Sequence, residues 1–102
     1  MADKLVNAWS AGIVDGEGYV TRRKHTRGCK TQPFVRVENT DKRILCKLAE
    51  YYGGKVSLAV RKDRPNNKPC WYWQLCNQKC IRFLSEIKPY LVSKREKVDK
   101  IV

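Results

Sequence analysis

The 102 residues contain no apolar run approaching the roughly 18 that a membrane-spanning helix requires. The opening residues, Met1-Ala2-Asp3-Lys4-Leu5, carry an acid and lack the basic and apolar regions of a secretory leader. The expectation is an intracellular protein, cytoplasmic or organellar, not secreted and without a membrane partner. Histidine is represented by His25 alone, and the five cysteines (Cys29, Cys46, Cys70, Cys76, Cys80) form an odd number with no CxxC pair. Structural zinc needs closely spaced ligand pairs, and Cys76-x3-Cys80 is a single weak candidate. Reduced intracellular thiols are the preferred reading. Acids are scarce too: ten Asp and Glu stand against 22 Lys and Arg, a formal charge of +12. No low-complexity stretch, long linker or repeat divides the chain, which points to one domain over residues 1–102.

What is present suits a folded domain: 42% of the residues are apolar and 10% aromatic, values that argue against disorder. The positive field favours a polyanionic partner, nucleic acid first. A membrane surface or a crowded assembly are the other settings for so basic a small domain.

Leu5, Val6, Trp9, Ile13 and Val14 recur at helical spacings and predict a helix over residues 4–16, stopped by Gly16-Glu17-Gly18. Residues 19–27 and 32–38 predict two strands joined at Gly28-Cys29-Lys30. Asn39-Thr40-Asp41 offers caps for a helix over 41–52, with Ile44, Leu45, Leu48 and Tyr51 as its stripe and Gly53-Gly54 as its end. A second hairpin follows. Residues 55–62 alternate as a half-buried strand, 63–69 form a turn-rich loop, and 70–76 are aromatic and β-prone. A helix over 78–88 breaks at Pro89, and 93–102 predict a last, basic helix. The order is αββαββα with a short helix at the end: an α+β domain.

Val56, Leu58, Val60, Trp71 and Trp73 need cover, so one face of the sheet should pack on the helices. The other face carries Thr21, Arg23, His25, Arg27, Arg36, Ser57, Arg61, Tyr72 and Gln74, with Lys30 and Gln32 joining them as candidate nucleic-acid contacts. Charged strand faces are commonly no more than solvated. The density of cations on these hairpins favours binding instead, and a twisted antiparallel ribbon fits a DNA major groove with its side chains at the base edges.

At about 100° per residue, Ala8, Ala11, Gly12 and Asp15 share one arc of the first helix, with Gly16 at its edge. A helical glycine costs ~1 kcal/mol relative to alanine, and close approach of a second helix is a physical reason to keep two of them four apart. Helix termination explains Gly16 and leaves Gly12 unaccounted for. Asp15 and Glu17 sit at the helix C-terminus, where the macrodipole disfavours negative charge by up to ~1 kcal/mol. Acids placed against the local field suggest a metal site or a chemical role. One arrangement is magnesium held against phosphate oxygens by a carboxylate from each of two chains.

Ser10-Ala11-Gly12-Ile13-Val14-Asp15-Gly16-Glu17-Gly18 resembles the LAGLIDADG signature of homing endonucleases, with Ser for the first Leu and Glu for the final Asp. Ser85-Glu86-Ile87-Lys88-Pro89-Tyr90-Leu91-Val92-Ser93-Lys94 is similar to the stretch that ends in that family's active-site lysine. The predicted element order is similar to that family's fold, a four-stranded antiparallel DNA-binding sheet below its helices, and the resemblance covers nearly the whole chain.

The resemblance implies that two signature helices pair through Ala8, Ala11, Gly12, Asp15 and Gly16, so that their acidic ends meet over DNA. One motif per chain implies a homodimer and a long, near-palindromic site. A strand of eight residues spans roughly 26 Å, room for on the order of seven or eight base pairs per subunit. Glu17 takes the place of the catalytic, metal-binding acid, aided by the Gly16 carbonyl, with Mg2+ as the divalent cofactor. Lys94 matches the lysine that tunes the attacking water or stabilises charge on phosphate. Asn39 takes a water-positioning place, and Arg43, or Lys42, that of a basic partner. Asp15 falls to a structural role near the helix pair.

The implied function is magnesium-dependent, sequence-specific cleavage of double-stranded DNA. The alternatives on the same fold are a maturase acting on intron RNA and a DNA binder that has lost cleavage. A basic ribosome-associated or structural protein would explain the charge and leave the carboxylates and glycines without a reason.

Overall fold

The computed structural model describes residues 3–24, 31–59 and 69–102, and of Arg23 and Lys24 the backbone alone. Asp3 caps the first helix, α1 (Lys4–Glu17), its carboxylate accepting the Val6 N–H at 2.9 Å. The helix runs through Gly16 to Glu17 rather than stopping at 16, and Gly18 ends it by returning its N–H to the Val14 carbonyl. Strand β1 (Gly18–Lys24) begins in the same residue. A Cβ on Gly18 would lie 2.8 Å from both Cα and O of Val14, so the direct passage from helix to strand needs glycine for room.

β2 (Thr31–Asn39) leads into α2 (Lys42–Tyr52), which Asp41 caps through the Arg43 N–H at 3.0 Å. Then come β3 (Val56–Ala59), β4 (Cys70–Cys76), α3 (Asn77–Ile87), a 3-10 turn (Lys88–Tyr90) and α4 (Arg95–Asp99). The expected extensions of β1 to residue 27 and β3 to residue 62 lie outside the described residues, as do the turn at 28–30 and all of the 63–69 loop but Pro69. The helix expected over 93–102 shrinks to Arg95–Asp99. Before it, the chain turns its N–H groups to the end of α1. After it, Arg22 Nη2 holds the Ile101 carbonyl at 2.8 Å.

The four strands form an antiparallel sheet in the order β1-β2-β4-β3. Alternation sends Val20, Val35, Val37, Trp73 and Leu75 toward the helices, where Val14, Leu45, Leu48, Phe83, Leu84, Ile87 and Val98 meet them in one core cluster. Full burial of such side chains contributes ~1.5–3 kcal/mol each. Trp73 sits centrally, its ring 5.2 Å from Phe83 and 6.4 Å from Tyr52, and its indole N–H reaches the Gly53 carbonyl at 2.8 Å. Gly54, at φ +89°, passes so close to that indole that a Cβ would lie 3.0 Å from its nitrogen. Cover is thinner at the β3 edge: Val56 and Trp71 are half-buried and Leu58 is 48% exposed, against the expectation that all three would be roofed. Among the described residues no helix is long and apolar enough to cross a membrane.

Candidate catalytic centre and nucleic-acid interface

The acidic end of α1 lies beside the end of β2 because Gly18 pairs with Val37. Two residues further along β2, Asn39 Nδ2 donates to Glu17 Oε2 at 2.6 Å. Asn39 is oriented from behind, since its Oδ1 accepts the Asp41 N–H at 2.8 Å, so the amide must offer its NH2 to the carboxylate. Glu17 is otherwise exposed.

Asp15, two residues earlier, is engaged inside its own chain. Its carboxylate accepts the N–H groups of Val92 (2.7 Å) and Lys94 (3.0 Å) and the Ser93 hydroxyl (3.1 Å). Partial burial pushes its carboxyl pKa up, but these donors, with the Lys94 charge, hold it below the ordinary value of 3.8. Lys94 Nζ donates to the Asp15 carbonyl at 2.8 Å, placing a cation on the last turn of α1, where the helix dipole favours one. Glu17, Asn39 and Lys94 are therefore brought to one helix end.

Among the described residues no three His, Cys, Asp or Glu side chains gather as a metal cluster. One chain brings the Glu17 carboxylate, and the helix end leaves the Gly16 carbonyl beyond the reach of intrahelical donors. This all-oxygen pair fits a hard cation such as magnesium, which takes one or two carboxylates and completes its shell with water and phosphate.

Arg43 is not among the groups on Glu17. Its guanidinium forks onto Asp41 (Nε–Oδ1 3.0 Å, Nη2–Oδ2 3.0 Å) with 92% of the side chain exposed, and the pair lowers the Asp41 pKa. Lys42, the alternative, holds its ammonium 4.4 Å from the centre of the Trp71 ring.

The expected interface arc on α1 needs correcting. Ala11 is 0% exposed within the single chain, packed in its core, and has no surface to give a partner. The Asp15 carboxylate is taken up by residues 92–94. Ala8, Gly12 and Gly16 are exposed, and a Cβ on either glycine would meet nothing within 4 Å among the described residues. Leu5, 82% exposed, and Trp9, 41% exposed, extend that face. The unpartnered side of α1 is thus rotated away from Ala11 toward Leu5 and Trp9.

On the sheet, strand register places the predicted contacts in cross-strand rows. Arg23 pairs with Gln32; Thr21 with Phe34, which meets Cys76; Tyr19 with Arg36, which meets Gln74; and Tyr72 lies between Glu38 and Ser57. Thr21, Gln32, Arg36, Ser57, Tyr72 and Gln74 are all half-buried on the face away from the helices. His25, Arg27, Lys30 and Arg61 lie outside the described residues. Residue type alone missed Tyr19, 56% exposed, with Lys97 Nζ 5.3 Å from its ring centre; its parity with Thr21 and Arg23 was the available signal. It also missed that Arg36 is already bound: Nη2 lies 2.8 Å from Glu38 Oε1, and Cζ 4.0 Å from the Tyr72 ring centre.

No protein-family profile and no curated protein matches this sequence. Solved structures match it in fold. The homing endonuclease I-CvuI, bound to its target with calcium, superposes with a TM-score of 0.73 over 93% of this chain and 62% of its own, at 22% identity. The archaeal intron-encoded homing endonuclease I-Vdi141I, complexed with DNA, gives 0.70 over 98% and 66%, at 15% identity. The LAGLIDADG homing endonuclease I-GzeII, in complex with a DNA target, gives 0.61 over 92% and 34%, at 17% identity. The chain spans less than two thirds of I-CvuI, about two thirds of I-Vdi141I and a third of I-GzeII. Its fold is that of the solved LAGLIDADG homing endonucleases.

Proposed function

We propose that this chain is a sequence-specific endonuclease for double-stranded DNA, acting as a homodimer on a near-palindromic site and requiring magnesium. The observation that carries this reading is the end of α1. An exposed acid, an oriented amide and a lysine converge there, beside a helix face that none of the described residues covers at Gly12 and Gly16. Pairing two copies through Ala8, Gly12 and Gly16 would set two such ends side by side, with the two sheets continuing outward. I-CvuI, I-Vdi141I and I-GzeII were solved in complex with DNA, which supports double-stranded DNA as the partner.

Each residue has a defined task in this reading. Glu17 and the Gly16 carbonyl would hold a divalent cation, which when bound supplies Lewis-acid polarisation of phosphate and an acidified water. I-CvuI was solved on DNA with calcium and with magnesium, which supports a divalent ion. Asn39 fixes one oxygen of Glu17 through its oriented amide. Lys94, anchored on the Asp15 carbonyl, offers a fixed cation to charge developing on the phosphate. Asp15 positions Lys94 by holding the backbone on both sides of Ser93. Arg43 would have to release Asp41 to serve as a second basic group. The bound chain is expected to work inside the cell.

The test is a randomised duplex library incubated with the purified chain and magnesium, followed by capture of newly cut ends. Recurrent double-strand breaks at one long site are expected, and chelation should abolish them. Retention of a DNA sequence without cutting would leave a binder; retention of structured RNA alone would indicate a maturase.

A further inference from the structure

Arg36 stands at the middle of an inner strand, between Tyr19 on β1 and Gln74 on β4. Its guanidinium has two anchors: Nε and Nη2 donate to Glu38 Oε1 at 3.0 and 2.8 Å, and Cζ lies 4.0 Å from the Tyr72 ring centre. About a third of each ion-pair side chain is exposed, on the face away from the core. A cation already neutralised by a carboxylate is a poor phosphate ligand, because counterion release follows the charge it brings to the backbone. Base edges carry sequence information and phosphates do not, and Arg36 stands on an inner strand rather than at a margin of the sheet. An arginine held in one orientation also loses little freedom when its fork engages an acceptor pair.

Building on the proposed DNA contact, we infer that Arg36, braced by Glu38 and Tyr72, reads one guanine in each half-site through O6 and N7. Glu38 then sets specificity, although it is an acid on a surface that faces a polyanion. The Arg36 fork matches the two guanine acceptors, which is the common bidentate recognition of that base. Glu38 restricts which edge of the guanidinium is presented, and Tyr72 fixes its plane.

Selection of duplex DNA by the full chain, followed by affinities at several salt concentrations, tests this. The wild type should enrich one guanine per half-site. Arg36→Lys keeps the charge and loses the fork, so preference for that guanine should fall roughly ten- to hundred-fold. The salt dependence should not change. Glu38→Gln removes a negative charge, so it should bind unrelated DNA at least as tightly while losing preference at that one position. A bystander acid would instead raise affinity for every sequence and leave the preference intact, overturning the inference. So would an Arg36→Ala variant that weakens all sequences equally and lowers the salt slope by about one, the mark of a phosphate contact. Failure to enrich any sequence would sink the DNA reading itself, an outcome distinct from an enriched site whose guanine is indifferent to both variants. Affinities are compared per folded molecule, from circular dichroism of each variant.

Discussion

Asp15 and Glu17 lie two residues apart at the end of one helix, in a chain whose formal charge is +12, and the fold treats them in opposite ways. Asp15 collects three donors from residues 92–94 and is spent on holding the chain together. Glu17 takes one side-chain amide and otherwise faces solvent. The helix dipole disfavours both, so proximity to the helix end does not by itself mark a catalytic acid. In the proposed reading, what marks one is a carboxylate that the protein orients and then leaves accessible.

After loss of the Glu17 charge itself, the largest effect should come from Lys94→Met, which removes the cation and keeps an apolar stem. Cleavage is expected to fall on the order of a hundred- to a thousand-fold, with DNA affinity changed only a few-fold, as read by single-turnover cutting beside gel-shift titration. Next is Asp15→Asn. The amide oxygen cannot receive all three donors, so stability should drop by about 1–3 kcal/mol, each kcal/mol lowering Tm by roughly 4–8 °C for a chain of this size. The pH dependence sharpens the contrast. The Asp15 carboxyl is held below 3.8, so its contribution is complete above that value and is lost as the pH falls through the lower folded one. Wild type and Asp15→Asn should melt apart at pH 7 and converge in strong acid. Ser93 should transmit a smaller part of the same loss.

Gly12 gives the smallest effect and the opposite sign. With nothing within 4 Å of an added Cβ, Gly12→Ala should raise the stability of the isolated chain by up to ~1 kcal/mol in a denaturant titration. Gly12→Leu should fold equally well and sediment as a monomer under conditions where the wild type is a dimer. A stable Gly12→Leu dimer would move the association surface elsewhere.

Much of this architecture was legible in the residues. The stripe Ile44, Leu45, Leu48 and the cap at Asp41 fixed α2, and alternation through Val35 and Val37 fixed the core face of β2. The motif at residues 10–18 and Lys94 pointed to one end of one helix, where the structure brings Glu17, Asn39 and Lys94 together. What was not legible depends on distance along the chain. The partners of Asp15 lie 77 to 79 residues away, beyond any local pattern. Ala11 is small enough to read as part of a docking stripe, yet it is 0% exposed, as is its neighbour Ser10. Tyr52 closes over Ser10, its hydroxyl 3.0 Å from the serine oxygen, so only the packed chain reveals which side of α1 is covered. The Arg36–Glu38 pair shares a strand face by parity, but its brace, Tyr72, comes from another strand.

The most direct test of the account is Glu17→Gln assayed beside the wild type on a duplex selected by the chain itself. The substitution preserves size and the contact with Asn39 and removes only the charge. Equal DNA affinity in both proteins, with double-strand cutting in magnesium by the wild type alone, is the predicted result. Undiminished cutting by Glu17→Gln would contradict it, because the exposed acid at the end of α1 would then have no part in the chemistry.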